Sequence, residues 1–478
     1  MAKPEETLRQ VFRFKRKADS NPHWLTRSKC NERGRELLDR RNKLKTLFSL
    51  SSVVTDLFPV AGGRFLDIAF KNLLGNKIFL DSITRLTKDA VRRVEEFRSF
   101  LFVADLNIGD AVIASSAVAA LREIFPDAEI DFVIKKSAGC FVEGNPDVSN
   151  LFPIYEGSPI PTNDDLLRLA RLAEDRKYDL VINFSPMIDR KIFGGNNVVG
   201  YEMMAAQLVR NERSPERVNN ISLQSYSFVK KMFHDSMAAA DGNGFRGARI
   251  YLSDDATSEA EDFLLVRDIA RDRPLLLFNP DASASFTRIP FDVQRDLLRR
   301  LSSLRCTILL GSGHVERHIE DELLYSLPPD VRRGISIIPR SVNLDVYAAL
   351  IDFADVYLGG DTGPLHLAAA RKFSRDSGKR LRNATAVFSV FGGTPPRIYG
   401  YDSKAPGFFP ANQDAPSRAF VAASPCRNIT CINKMAKTCR EVRCFDNLNT
   451  GKIVSEAARH LESIGLSHNR ERYSIPVK

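Results

Sequence analysis

Short apolar runs bounded by turn residues recur along the chain from residue 98 onward. They are Ser99–Asp105, Ile130–Ile134, Leu151–Tyr155, Tyr178–Asn183, then Leu275–Asn279, Cys306–Leu310, Ile335–Ile338, Ala354–Leu358 and Ala386–Val390. Their apolar positions are continuous more often than alternating, the pattern of strands covered on both faces. Helical spacing fills the intervals: Ala117, Leu121 and Phe125; a helix near Glu259–Ile269; one after Pro290; Val346–Phe353; and a final helix over Ile453–Ile464. Strands alternating with helices predict βαβ units and parallel sheets, an α/β protein. The first half runs from about Arg98 to Leu252, and Asp241-Gly242-Asn243-Gly244 reads as a linker between the halves. The expected organisation is an extension over 1–97, a Rossmann-like domain over 98–252, a second over 253–450, and a terminal helix and tail over 451–478.

Charge adds a feature that periodicity does not show. Residues 1–98 hold 22 Lys and Arg against 12 Asp and Glu, while the rest of the chain holds 47 of each. The whole formal charge of +10 therefore lies in residues 1–98, which argues against a nucleic-acid groove across the α/β domains. Apolar residues interleave the basic clusters Arg13–Lys17 and Arg40–Lys45. Two readings stay open: helices lying on an anionic membrane surface, or helices packed on the body with a solvated basic face. No run reaches the length of a membrane-spanning helix, and the start, Met1-Ala2-Lys3-Pro4-Glu5-Glu6, has no apolar signal core. The expectation is a cytoplasmic protein, peripheral on the inner membrane face if the first reading holds.

Two strand-to-helix turns carry the candidate chemistry. Gly360-Asp361-Thr362-Gly363-Pro364-Leu365-His366 follows the strand at Ala354–Leu358 and opens a Leu/Ala-rich helix. Thr362 is placed to cap that helix with its hydroxyl, and Gly363 lets backbone come close to a ligand. The free N–H groups of the first turn then form a phosphate site at the carboxyl edge of the sheet. The alternative is an N-capped helix of no special role. Asn107-Ile108-Gly109-Asp110 stands in the same way after the first strand.

These two segments resemble glycosyltransferase family 9, the heptosyltransferase-like enzymes. The order of elements between them, with an Asn145-Pro146 turn and a Val198-Val199-Gly200-Tyr201 close, fits the same family over about residues 98–460. The resemblance implies a GT-B fold, two Rossmann-like domains facing a cleft. It places a nucleotide-diphospho-sugar on the second domain and an acceptor on the first, with Asp110 at the position of the catalytic base. It puts Asp361, Thr362 and Gly363 at the donor, with Ser283 in the turn after the second domain's first strand and Thr394 in Phe391-Gly392-Gly393-Thr394 near the diphosphate. Val342 falls where adenine is contacted through backbone atoms. Where the family has Lys-x-Trp-Pro, this chain has Thr287-Arg288-Ile289-Pro290, so the phosphate-binding charge moves to Arg288. Gly311-Ser312-Gly313-His314-Val315-Glu316 resembles the family's glycine turn with a ribose carboxylate. Glu316 also reads as an ordinary first-turn acid, and His366, on the helix after the Asp361 turn, reads either as a donor-site residue touching the diphosphate or as a packing histidine.

No Asp-x-Asp occurs, so the leaving diphosphate is expected to be stabilised by helix N-termini and a cation, with no metal required for catalysis. Four of the seven cysteines, Cys426, Cys431, Cys439 and Cys444, crowd one place. A structural Zn or Fe site, two disulfides and four free thiols are all open readings. The basic segment Arg371–Arg382 reads as a solvated insertion or as a contact to a phosphorylated acceptor.

The functional expectation is an inverting glycosyltransferase. It moves a sugar, foremost heptose from ADP-heptose, to a hydroxyl of lipopolysaccharide or another cell-surface glycan. Two alternatives are an epimerase of GT-B fold and a non-catalytic sugar-nucleotide or glycan binding protein.

Overall fold

The computed structural model describes residues 97–104, 108–155, 161–185, 188, 190–199, 220–233, 245, 247–269, 273–282, 284, 286–311, 319–373, 385–402, 416–422 and 442–467. The extension over 1–96, the linker at 241–244 and the segment 374–384 lie outside the described residues.

The first sheet contains β1 (Ser99–Ala104), β2 (Glu129–Lys135), β3 (Asn150–Tyr155), β4 (Leu180–Asn183) and β5 (Val198–Val199) in the order β3-β2-β1-β4-β5. The second contains β6 (Leu275–Asn279), β7 (Thr307–Gly311), β8 (Ile335–Ile338), β9 (Val356–Gly360), β10 (Ala386–Phe391) and β11 (Ser417–Val421) in the order β11-β10-β9-β6-β7-β8. Every pairing is parallel. Parallel sheets need helices on both faces, which is why β1, β6 and β9 are buried along almost their whole length. In each sheet the order reverses beside the first strand, at β1/β4 and at β6/β9. The carboxyl ends at those two places form the ligand crevices of such folds.

The helices follow the same logic. In the first half, α1 (Ile108–Ile124) follows β1, α2 (Asn163–Arg176) precedes β4, and α3 (Ile221–Phe233) packs along α1. A reciprocal capping box between Thr162 and Asp165 starts α2. In the second half come α4 (Asp254–Val266), α5 (Phe291–Leu301), α6 (Leu344–Phe353), α7 (Gly363–Phe373) and α8 (Thr450–Ser467). The final helix presents Ile453, Ala457, Leu461 and Ile464 at three- and four-residue spacing to the core that holds Leu276, Phe278, Val356 and Leu358. It is part of the second sheet's core. Among the described residues no helix is long and apolar enough to cross a membrane.

The edge strand β11 has no counterpart in the sequence reading. Its residues, Ser417-Arg418-Ala419-Phe420-Val421, mix polar with apolar positions, and it pairs only with β10.

Candidate active site

The amino-terminal ends of α1 and α7, one from each sheet, meet at two glycines. A Cβ on Gly109 would lie 2.6 Å from Cδ2 of His366 and 3.0 Å from Cα of Gly363. A Cβ on Gly363 would lie 3.3 Å from the Gly109 nitrogen. Any side chain at Gly109 would push the two helix ends apart. Their free N–H groups and positive dipole ends thus converge on one place, a favourable setting for an anion.

Asp110 sits in the first turn of α1 and is half-buried. Among the described residues nothing hydrogen-bonds or pairs with it. Its carboxylate is therefore not used up as a helix cap, and it stands beside the Gly109–Gly363 contact.

Asp361 and Thr362 form the turn between β9 and α7, both buried. The expected cap differs in one respect. The Thr362 carbonyl, not its hydroxyl, closes the first turn, accepting from the N–H of Leu365 at 3.1 Å and of His366 at 3.4 Å. The hydroxyl is buried beside the Tyr357 hydroxyl, and neither makes a hydrogen bond of ordinary geometry. The Thr394 hydroxyl and Nε2 of His366 are likewise buried without one. Buried polar atoms normally find partners, so a cluster of them at the β6/β9 crevice is the mark of a polar ligand site.

His366 is enclosed in α7's first turn, 1% exposed. Its Nδ1 is 2.8 Å from the Tyr401 hydroxyl, and Oδ1 of Asp361 stands 3.7 Å from its Nε2. Burial, chiefly, pushes the Tyr401 phenol well above its ordinary value, and the nearby Asp361 charge adds to this.

The loop after β6 folds over this turn. A Cβ on Gly360 would lie 2.7 Å from the Thr287 carbonyl, and the N–H of Gly393 donates to Phe286 O at 3.2 Å. That second bond ties the Thr394 turn to the loop. Thr287, at the family's Lys position, is turned inward and donates to Ala284 O at 3.1 Å. Arg288 bridges its own loop: its guanidinium is 3.0 Å from Oδ1 of Asp281 and donates to the carbonyl of Ala282. Asp281 thus balances part of its charge. Ile289, at the Trp position, is fully buried in the second core.

Gly311 ends β7 against α6: a Cβ there would lie 2.8 Å from the Tyr347 hydroxyl. Tyr347 donates to Oδ1 of Asn279, the last residue of β6, at 3.1 Å. Val342 is half-buried, and its N–H donates to Pro339 O at 3.0 Å. Ser283 and Glu316 lie outside the described residues, as do Gly200, Tyr201, His314, Cys426, Cys431 and Cys439. Cys444 is buried among Phe445 and its apolar neighbours, with Sγ 3.9 Å from Phe286 O. Among the described residues no three His, Cys, Asp or Glu side chains are grouped as metal ligands.

Sequence reasoning missed Tyr357, Tyr401 and Ser222. Tyr357 carried one local signal. A Cβ on Gly359, two residues on along the same strand face, would lie 2.5 Å from its hydroxyl. Tyr401 and Ser222 reach the site only through tertiary contact.

Residues 221–373, from α3 through the Asp361 turn to the end of α7, match the family model "Glycosyltransferase family 9 (heptosyltransferase)". Over those residues the chain is similar to glycosyltransferase family 9. Its two parallel α/β sheets have the arrangement of the GT-B fold. A family 9 glycosyl transferase from Veillonella parvula is 13% identical, with a TM-score of 0.55 over 77% of this chain and 98% of that one. The ADP-heptose lps heptosyltransferase II of E. coli is 15% identical, with a TM-score of 0.52 over 77% of this chain and 99% of that one. At such identities the two likenesses concern the fold. No curated protein sequence matches the chain.

Proposed function

We propose that this protein is an inverting glycosyltransferase that moves heptose from ADP-heptose to a hydroxyl of lipopolysaccharide or another cell-surface glycan. The observation that carries the reading is the convergence of two helix N-termini at Gly109 and Gly363, with Asp110 on one and the Asp361–Gly363 turn on the other. The donor's chemistry is supported by the ADP-heptose named for the E. coli relative of like fold.

In this reading the diphosphate lies between the two helix ends. Thr362, Thr394 and His366, through the buried polar atoms that make no hydrogen bond of ordinary geometry, bind it or the sugar hydroxyls beside it. Arg288 adds a cation at the edge of the same loop. Ser283 and Glu316 take the diphosphate and ribose, and the Val342 carbonyl takes the base. Asp110 accepts the proton of the acceptor hydroxyl as its oxygen bonds to the anomeric carbon. The bond from that carbon to the diphosphate oxygen breaks, and ADP leaves with the electron pair. Attack from the side opposite the leaving group inverts the centre. Charge gathers on the diphosphate oxygens in an oxocarbenium-like transition state, and fixed N–H dipoles stabilise it without reorganising.

The test is a thermal-shift series with ADP, UDP, GDP and ADP-sugars, because a ligand of the folded state alone raises the melting point. ADP and ADP-heptose raise it and UDP and GDP do not. A shift with UDP and none with ADP would overturn the donor assignment. Conversion of the donor with no acceptor present would point to an epimerase instead.

A further inference from the structure

The donor turn is wired to the first domain through one buried phenol. Tyr401 follows β10 in the second domain, and its hydroxyl lies 2.8 Å from Nδ1 of His366 and 3.4 Å from Oγ of Ser222. Ser222 belongs to the first turn of α3, which packs along α1 in the first domain. The neighbouring Asn220 fixes the junction. Its side-chain N–H donates to the Gly400 carbonyl at 2.8 Å, and its Oδ1 accepts from the N–H of Ser222 at 3.0 Å. One asparagine thus caps α3 and ties it to the residue before Tyr401.

We propose that Tyr401, oriented by Ser222 of the first domain, is a positioning residue that holds His366 in the Nε2–H tautomer and so turns an N–H donor toward Asp361 and the bound diphosphate. A phenol has one proton to give. Burial keeps that proton on Tyr401, since it disfavours the phenolate. The proton goes either to Nδ1 of His366 or to Ser222. If it went to Ser222, Nδ1 would carry its own hydrogen and the Nε2 lone pair would face the Asp361 carboxylate at 3.7 Å. Two electron-rich acceptors facing each other in a buried site repel. If it goes to Nδ1, the shorter of the two contacts, Nε2 carries the hydrogen and points an N–H at the carboxylate. The bond made by one ring nitrogen sets the state of the other. Ser222, donating to the phenol oxygen, completes the chain Ser222 → Tyr401 → His366 → Asp361. Docking of α3 is thereby coupled to the polarity of a group at the donor turn.

The relay rests on the donor-site reading only for its effect on nucleotide affinity; the tautomer itself does not. The experiment is a long-range ¹H–¹⁵N spectrum of the full chain labelled at its seven histidines, with His366 assigned by His366→Gln. It is repeated for Tyr401→Phe and Ser222→Ala, with ADP titrated into each. In the wild type, His366 carries a single proton on Nε2. Tyr401→Phe removes one of the two contacts that favour this tautomer and leaves Asp361 alone to hold it, so a mixture of the two tautomers appears and ADP weakens about tenfold, the worth of one hydrogen bond to a charged partner. Ser222→Ala gives a smaller change of the same sign. A wild-type His366 protonated on Nδ1 or on both nitrogens overturns the proposal. So does a Tyr401→Phe protein with unchanged tautomer and ADP affinity. If Tyr401→Phe does not fold, the wild-type spectrum and Ser222→Ala decide. If the tautomer behaves as expected but ADP binds none of the proteins, the relay stands and the nucleotide reading falls.

Discussion

Gly109 and Gly363 touch across the junction of the two sheets: a Cβ on Gly109 would stand 3.0 Å from the Cα of Gly363 and 2.6 Å from the His366 ring. Backbone cannot yield cheaply at a helix end, so Gly109→Ala separates α1 from α7 or displaces His366. It lowers stability by about 1–3 kcal/mol, the usual range for overpacking. It also lowers ADP affinity, because the converging N–H groups move apart. Gly363→Ala, with a nearest approach of 3.3 Å, has the same effects to a smaller degree. Urea unfolding and ADP titration of both variants check the order.

Tyr357 and Gly359 make a second pair with a sharper signature. The Tyr357 hydroxyl is buried without a well-formed hydrogen bond, and a Cβ on Gly359 would lie 2.5 Å from it. Gly359→Ala destabilises by roughly 1–3 kcal/mol. Tyr357→Phe alone changes the stability of the ligand-free protein by less than about 1 kcal/mol, since the hydroxyl it removes makes no well-formed hydrogen bond and its polar neighbour is the Thr362 hydroxyl. In the double variant the shortest clash is gone while the ring Cζ at 3.0 Å and the Asn279 carbonyl at 3.1 Å remain, so the alanine's cost falls in part. A double-mutant cycle by chemical denaturation reads this coupling, and strict additivity would show that the two groups do not collide.

Much of this was legible in the sequence. The core strands β1, β6 and β9 are continuous apolar runs, and the turns after β1 and β9 carry Gly-Asp and Asp-Thr-Gly where a phosphate site needs them. What was not legible depends on distance along the chain. His366 meets a tyrosine 35 residues away, and that tyrosine meets a serine 179 residues away. No local pattern encodes such contacts. The Arg at 288 was visible, but not that Asp281 would pair with it, because the loop must fold back on itself to bring them together. Thr362 had the residue type of a cap, yet its carbonyl makes the bonds. The edge strand β11 escaped because an edge strand need not be apolar throughout.

His460 on α8 gives a pH signature remote from the site. Burial, first, and then the Lys372 charge hold its pKa below the ordinary value of 6.5. As the pH falls below 6.5, the unfolded chain takes up a proton that the folded chain resists. The folded protein therefore loses stability on that side and keeps it above. His460→Gln removes this term, so the variant's stability falls less steeply than the wild type's below pH 6.5. Parallel pH profiles of unfolding free energy would contradict the assignment.

Asp361 faces His366 in the turn that opens α7. Asp361→Ala leaves the Nε2–H without its carboxylate and loosens the N–H groups around the diphosphate. ADP affinity falls by about tenfold or more. Transfer measured at saturating donor falls less. Isothermal titration beside initial-rate kinetics separates the two effects, and a variant that binds ADP as the wild type does would remove Asp361 from the donor site.

The turnover of Asp110→Asn at saturating donor tests the proposed general base most directly. Asn keeps the shape of the side chain at a helix first turn, so stability changes by roughly 1 kcal/mol or less. It takes no proton. Donor affinity, held by the other domain, stays near the wild-type value, while transfer to the acceptor hydroxyl falls by about 10²–10⁴-fold, the usual worth of a general base. A folded Asp110→Asn enzyme that binds ADP normally and transfers sugar at close to the wild-type rate would contradict the proposed mechanism.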